Sequence, residues 1–186
     1  MAGKLIFNFG TVSSSKTLTL LSTLYNYRKV GWNAITVKPA LDTRSELIET
    51  RAHVPPQKAD IIIDKDESFY DYQRAINSAD VILVDECQFL TVPQIDELRN
   101  IALDRDIDII CFGLRTDFNA HLFDASKRLF ELADEIDEIK TICSVCGKHA
   151  GFNAKVHVEE NEDKEGNIIP GWDNFEQRCW RHYNMD

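Results

Sequence analysis

The chain has 186 residues, 44% of them apolar and 28% charged, which suits one globular domain with its own core and room for a small appendage. Its 31 acidic and 21 basic residues leave a formal charge of −10, which argues against broad nucleic-acid binding, since that depends on cationic neutralisation of phosphates. No apolar run is long enough to span a bilayer, and MAGKLIFNFG lacks the apolar stretch and cleavage site of a secretory signal, so a cytoplasmic protein with no membrane partner is expected.

Residues 4–9 (KLIFNF) read as a short β-prone strand, followed by the loop GTVSSS. A helical pattern covers 16–29, with Leu18, Leu21, Leu24 and Tyr25 expected along one buried face and Gly31 closing it. NAITVKPA is a strand ending at Pro39, and this strand, loop, helix, strand order is the signature of parallel α/β architecture. Residues 40–58, polar and carrying two prolines, read as loop. ADIII (59–63) is a strand, ESFYDYQRAINSA a helix, and DVILVDE (80–86) a buried strand ending in two acids. TVPQIDELRNIALDRD is a helix with Pro93 in its first turn, IDIICFGL a buried strand, HLFDASKRLFELAD a helix and EIDEIKTI a last strand. After residue 142 cysteines appear, so the expected division is 1–142, a nucleotide-binding domain, and 143–186, a small metal-binding subdomain with a long loop.

Three motifs carry chemistry. Gly10-Thr11-Val12-Ser13-Ser14-Ser15-Lys16-Thr17 follows the phosphate-loop spacing, with Ser15 where the second glycine belongs. Loop amides and the following helix N-terminus would cradle phosphates of ATP, Lys16 would reach the β- and γ-phosphates, and Thr17 would ligate Mg²⁺. A serine-rich turn that merely caps a helix is the plainer reading. If position 15 requires a left-handed backbone, serine there costs about 1–2 kcal/mol. Asp85, ending a buried strand, suits Mg²⁺, and its neighbour Glu86 could act as general base on a substrate hydroxyl. Cys143-Ser-Val-Cys146 and Cys179-Trp-Arg-His182 form two pairs with two-residue gaps, the spacing of a structural Zn²⁺ knuckle, with a redox cysteine pair as the alternative.

The blocks KPALDTR (38–44), VDECQFL (84–90), GLRTDFNAHLFDASKRLFELAD (113–134) and KTICSVCGKHA (140–150) together resemble the type II, cytosolic-type thymidine kinases over nearly the whole chain. The resemblance implies a phosphate-loop parallel sheet flanked by helices, a C-terminal zinc subdomain with a lid loop at roughly 151–175, and transfer of the ATP γ-phosphate to thymidine. It implies Glu86 as base, Arg44 near the transferring phosphate, Asp85 on magnesium and Gln88 beside the cofactor. For the nucleoside it implies Asp42, Phe89, Leu114, Phe118, Phe123, Ile169, Pro170, Gly171 and Phe175, and for the assembly a homotetramer. The chain departs from the family at Ser15, at Val12 where methionine is frequent, at Asn119, at Pro170-Gly171 in place of a glycine pair, and at Phe175 in place of tyrosine. These departures leave a second reading open, a catalytically weak relative that binds nucleotide or a partner. A zinc-dependent nucleic-acid-binding module is a third, disfavoured by the net charge.

Overall fold

The computed structural model describes residues 3–41, 46–50, 52, 54–156 and 175–184. Six parallel strands form the central sheet: β1 (Leu5–Gly10), β2 (Ala34–Pro39), β5 (Ile61–Ile63), β6 (Val81–Val84), β7 (Asp108–Leu114) and β8 (Glu135–Glu138), in the order β5-β2-β6-β7-β1-β8. The central strands are apolar runs because helices cover both of their faces. Their side chains alternate between two cores, with Ile109 and Cys111 of β7 on one side and Ile110 and Phe112 on the other.

Helix α1 (Lys16–Lys29) covers the second face with Leu20, Leu21 and Leu24. The buried stripe is therefore turned from the expected one. Tyr25 is exposed beneath the Lys29 ammonium and Leu18 is half-buried, because the stripe formed by 20, 21 and 24 is rotated about the helix axis away from 18 and 25. Gly31, at φ +90°, does follow the helix end.

The first face is covered by α3 (Val92–Arg105), through Ile95, Leu98, Ile101 and Ala102, and by α4 (Asp124–Leu132), through Ala125 and Leu129. Thr91 and Gln94 form a reciprocal capping box at the start of α3, with proline in its first turn.

Three segments differ from the sequence expectation in their elements. Within 40–58 the short strands β3 (Leu47–Ile48) and β4 (Gln57–Lys58) pair antiparallel. The segment read as one helix over 67–79 is a 3₁₀ turn (Phe69–Tyr72) followed by the single turn α2 (Gln73–Ile76). Ser68 starts it: its hydroxyl accepts from Tyr70 N and donates to Glu97, which also accepts from Phe69 N, so a local cap and a tertiary acceptor displace a longer helix.

The last stretch, expected as one strand, divides into β8 and β9 (Thr141–Ile142). Strand β9 pairs with β10 (His149–Ala150), and β11 (Phe152–Lys155) with β12 (Phe175–Arg178), before the short helix α5 (Trp180–Tyr183). These hairpins bring the chain's end back beside Cys143 and Cys146.

Candidate active site

The site lies at the carboxyl ends of the parallel strands, where connecting loops meet above the sheet. Strand β1 delivers Gly10 there. A Cβ on Gly10 would lie 2.3 Å from Ser14 Oγ and 2.8 Å from the Ile139 carbonyl, so only glycine permits this close turn. Ser13 (φ 57°) and Ser15 (φ 64°, ψ 26°) both take the left-handed conformation. Position 15 thus has the backbone a glycine would favour, and serine adopts it under strain. Ser15 is the N-cap of α1 yet makes no side-chain capping bond, which counts against the plain helix-cap reading.

Lys16 is buried, and its ammonium donates to the Thr11 carbonyl at 2.7 Å and to Ser14 Oγ at 3.5 Å. Burial lowers its pKa, opposed by the charges of Glu86 and Asp85. Thr17 Oγ1 stands 3.4 Å from both carboxylate oxygens of Asp85, longer than a good hydroxyl–carboxylate bond. Asp85 is itself buried just beyond β6. Burial pushes its carboxyl up to about 7, the Glu86 charge adds to this, and Lys16 and Lys38 oppose it. The two motifs therefore meet: the helix start after β1 faces the acids after β6.

Glu86 is a left-handed residue as well, at φ 49° and ψ 40°. It begins the 3₁₀ turn Cys87–Phe89, and Gln88 Nε2 donates to its Oε2 at 2.7 Å. Gln88 Oε1 in turn accepts from the Leu114 amide at 2.9 Å. A residue assigned by resemblance to the cofactor side thus braces the candidate base against the end of β7. Gly113 makes this possible, because a Cβ there would lie 2.6 Å from both Cys87 Sγ and Gln88 Oε1. A glycine inside an apolar strand is the sequence signal for such a close approach.

The candidate nucleoside residues form separate contacts. Phe89 and Phe123 meet edge to face at 6.0 Å, and Phe118 and Phe175 lie 5.8 Å apart at 31°. The Tyr183 hydroxyl donates to the Phe118 carbonyl at 2.9 Å. Leu114 is buried, and its carbonyl accepts from Ser126 Oγ at 2.6 Å. Asp42, Arg44, Ile169, Pro170 and Gly171 lie outside the described residues.

Val12 is buried, and its amide donates to Asn153 Oδ1 at 2.8 Å. Asn153, on β11, also donates from Nδ2 to the Thr116 carbonyl at 2.8 Å. No sequence motif pointed to it. The available hint was a polar residue with poor strand propensity inside a four-residue strand.

Cys143, Cys146, Cys179 and His182 converge, their ligand atoms all within 4.8 Å of one another. The Cys146–Cys179 sulfurs are 3.8 Å apart, and His182 Nδ1 lies 3.5 Å from Cys143 Sγ and 3.4 Å from Cys179 Sγ. Zinc–sulfur bonds of about 2.3 Å in a tetrahedron place sulfurs about 3.8 Å apart, so this Cys₃His set is compatible with zinc. Burial raises the Cys143 thiol, but the amides of Cys179, Val145 and Cys146 and the His182 ring outweigh it and bring it down to about 5. A thiolate is the form that binds metal.

A parallel sheet whose first strand runs into such a loop and helix, facing an acidic pair at a nearby strand end, defines the phosphate-loop nucleotide-binding class. The fold is similar to the solved structure of flagellar accessory protein FlaH from Methanocaldococcus jannaschii, at a TM-score of 0.50 and 13% identity over 80% of this chain and 75% of that one, a likeness of fold alone. Sequence comparison narrows the class. The family model for thymidine kinase matches residues 3–183. The thymidine kinase of Enterobacteria phage T4 is 35% identical over 97% of this chain and 95% of its own length. That of Streptococcus agalactiae serotype Ia is 33% identical over 97% and 96%. The chain belongs to the thymidine kinase family, the ATP-dependent nucleoside kinases.

Proposed function

We propose that this chain transfers the γ-phosphoryl group of ATP to the 5′-hydroxyl of thymidine, giving dTMP for nucleotide salvage. The observation that carries this reading is the meeting of the Lys16–Thr17 helix start with Asp85 and Glu86 in a chain of this family. Backbone amides of residues 10–17 and the N-terminus of α1 take the phosphates, and Lys16 exchanges its bond to Thr11 for the phosphate oxygens. Glu86, oriented by Gln88, accepts the proton of the 5′-hydroxyl as that oxygen attacks phosphorus. Arg44 stabilises the charge that develops on the transferring group. Thr17 and Asp85 are the residues that would hold Mg²⁺, which neutralises phosphate charge when bound.

The nucleoside lies among Phe89, Phe118, Phe123, Leu114, Phe175, Asp42 and the lid residues Ile169, Pro170 and Gly171, whose closure excludes water. Cys143, Cys146, Cys179 and His182 would hold a structural Zn²⁺, which would tie together the two ends of the second subdomain, residues 143–186, beside the kinase domain, residues 1–142. The working form is a cytoplasmic homotetramer that binds neither membrane nor nucleic acid. Among the described residues no helix is long and apolar enough to cross a membrane.

The test is formation of dTMP from thymidine, ATP and Mg²⁺ by the zinc-loaded chain. Saturable turnover with both substrates is expected. A chain that binds ATP and thymidine but forms no dTMP would make it the catalytically weak relative.

A further inference from the structure

Phe118 stands in a tight turn that closes on itself. Thr116 bridges to Leu122, and the Asp117 amide donates to the His121 carbonyl at 2.9 Å. Asp117 Oδ1 accepts from the amides of Asn119 at 2.9 Å and His121 at 2.8 Å. Ala120 takes the left-handed conformation, at φ 61°. These bonds are local, so they fix the shape of the turn but not the direction in which it points. Phe118 is 42% exposed, so core packing does not hold it either.

Two contacts from the second subdomain supply the direction. The Phe118 ring lies against Phe175 at the start of β12. The Tyr183 hydroxyl, on α5, donates to the Phe118 carbonyl at 2.9 Å across 65 positions of sequence. Tyr183 is itself firmly placed. Its ring stacks on Trp180 at 5.7 Å and 19° and lies 5.2 Å from Phe152, and its amide donates to the Cys179 carbonyl at 2.9 Å. The ring is thus held by packing that does not involve the hydroxyl, which is left to reach the turn. A single bond at an exposed position adds little to the stability of the fold, so its distinct consequence is geometric.

We infer that Tyr183 is a positioning residue of the nucleoside site: its hydroxyl holds the Phe118 carbonyl, aims the turn over 116–122, and so sets the Phe118 ring against the base. This rests on the proposed reading that places Phe118 beside the nucleoside. It predicts an effect on thymidine binding, none on ATP binding, and none in a chain that lacks the Phe118 ring.

The experiment is calorimetric titration with thymidine, and steady-state kinetics, on the zinc-loaded full chain as wild type, Tyr183→Phe, Phe118→Ala and the double variant. Zinc content is measured alongside. Tyr183→Phe removes one oxygen and keeps the ring with its stack. It should weaken thymidine binding and raise KM for thymidine about three- to tenfold, with KM for ATP, kcat and zinc content within about twofold. Phe118→Ala should weaken thymidine binding by about tenfold or more, the scale of a lost base–aromatic contact. On that background Tyr183→Phe should change thymidine binding by less than about twofold, because the hydroxyl then has no ring to aim.

Unchanged thymidine binding in Tyr183→Phe, an equal rise in KM for ATP, or an undiminished effect in the double variant would each overturn the inference. Loss of zinc in Tyr183→Phe would overturn it too, since the hydroxyl would then serve the metal-binding fold. Normal thymidine binding in Phe118→Ala would remove the placement of Phe118 and this inference with it, while wild-type turnover would still sustain the proposed function. A wild type that binds no thymidine removes both.

Discussion

The two corners of the site use the same strained backbone but hold it differently. After β1, Ser13 and Ser15 are left-handed, and the loop is tied to Asn153, 141 positions on in the chain. After β6, Glu86 is left-handed, and its brace is Gln88, two residues on, backed by the Leu114 amide. The acid corner is thus fixed within the parallel-sheet body. The phosphate corner is completed by a subdomain whose own shape depends on four metal-compatible ligands. The brace on Glu86 should therefore survive zinc loss, whereas the contacts of the loop after β1 with the zinc subdomain, and the lid over the nucleoside, should follow zinc.

Zinc removal separates the corners most strongly. Stripping zinc, or Cys143→Ser, should cost several kcal/mol of stability and weaken both ATP and thymidine, because the Val12–Asn153 bond and the lid residues depend on the same subdomain. Melting temperature and titrations of zinc-loaded and stripped chains with ATP and thymidine give the comparison. Equal ATP affinity in the two would show that the corners do not differ in this way.

Gln88→Leu acts on the other corner alone. It removes the brace on Glu86 and should lower kcat by about 10²-fold, the scale of a small misplacement of a reacting group. KM for ATP should stay within about twofold, and a large rise would place Gln88 on the cofactor side instead.

Asp85 gives a pH signature in the ligand-free chain. Its folded carboxyl, raised to about 7, keeps a proton that the unfolded chain releases near 4. Stability contributed by Asp85 is therefore present at low pH and falls as pH rises through that window. Asp85→Asn should flatten the slope and stabilise the ligand-free chain at pH 8 by on the order of 1–4 kcal/mol, with little effect near pH 4. Urea melts at the two pH values measure it, and a variant less stable at pH 8 would contradict it.

The smallest effect is that of Ser15→Gly. Relief of left-handed strain, about 1–2 kcal/mol, is partly cancelled by the entropy glycine loses on folding, about 0.5–1 kcal/mol. A rise of a few degrees in melting temperature is expected. A lower melting temperature would mean that the serine side chain stabilises the loop.

Much of the body was legible in the sequence because fully covered strands must be apolar along their length. VILV and IIC announced β6 and β7 in that way, and the acids closing DVILVDE marked the site's position. The orientation of α1 was misjudged because the apolar periodicity of 18-21-24-25 competes with 20-21-24, and only packing against Leu83, Ile110 and Phe112 selects the second. The β3–β4 pair was illegible because two-residue strands carry no period. Cys143, Cys146, Cys179 and His182 were legible from spacing, since metal geometry constrains spacing directly. Asn153 was not, because its bonds to Val12 and Thr116 join segments that no local pattern relates. Gln88 stood between these cases: Gly113 marked a close approach without naming what approaches.

The most direct test of the account is one pair of readings on Glu86→Ala: ATP affinity by calorimetry and dTMP formation from thymidine. General-base loss predicts turnover reduced by about 10²–10⁴-fold, with ATP affinity within about twofold of wild type. Wild-type turnover in this variant, or loss of ATP binding along with turnover, would contradict the division of the site into a corner that captures ATP and a corner that activates the hydroxyl.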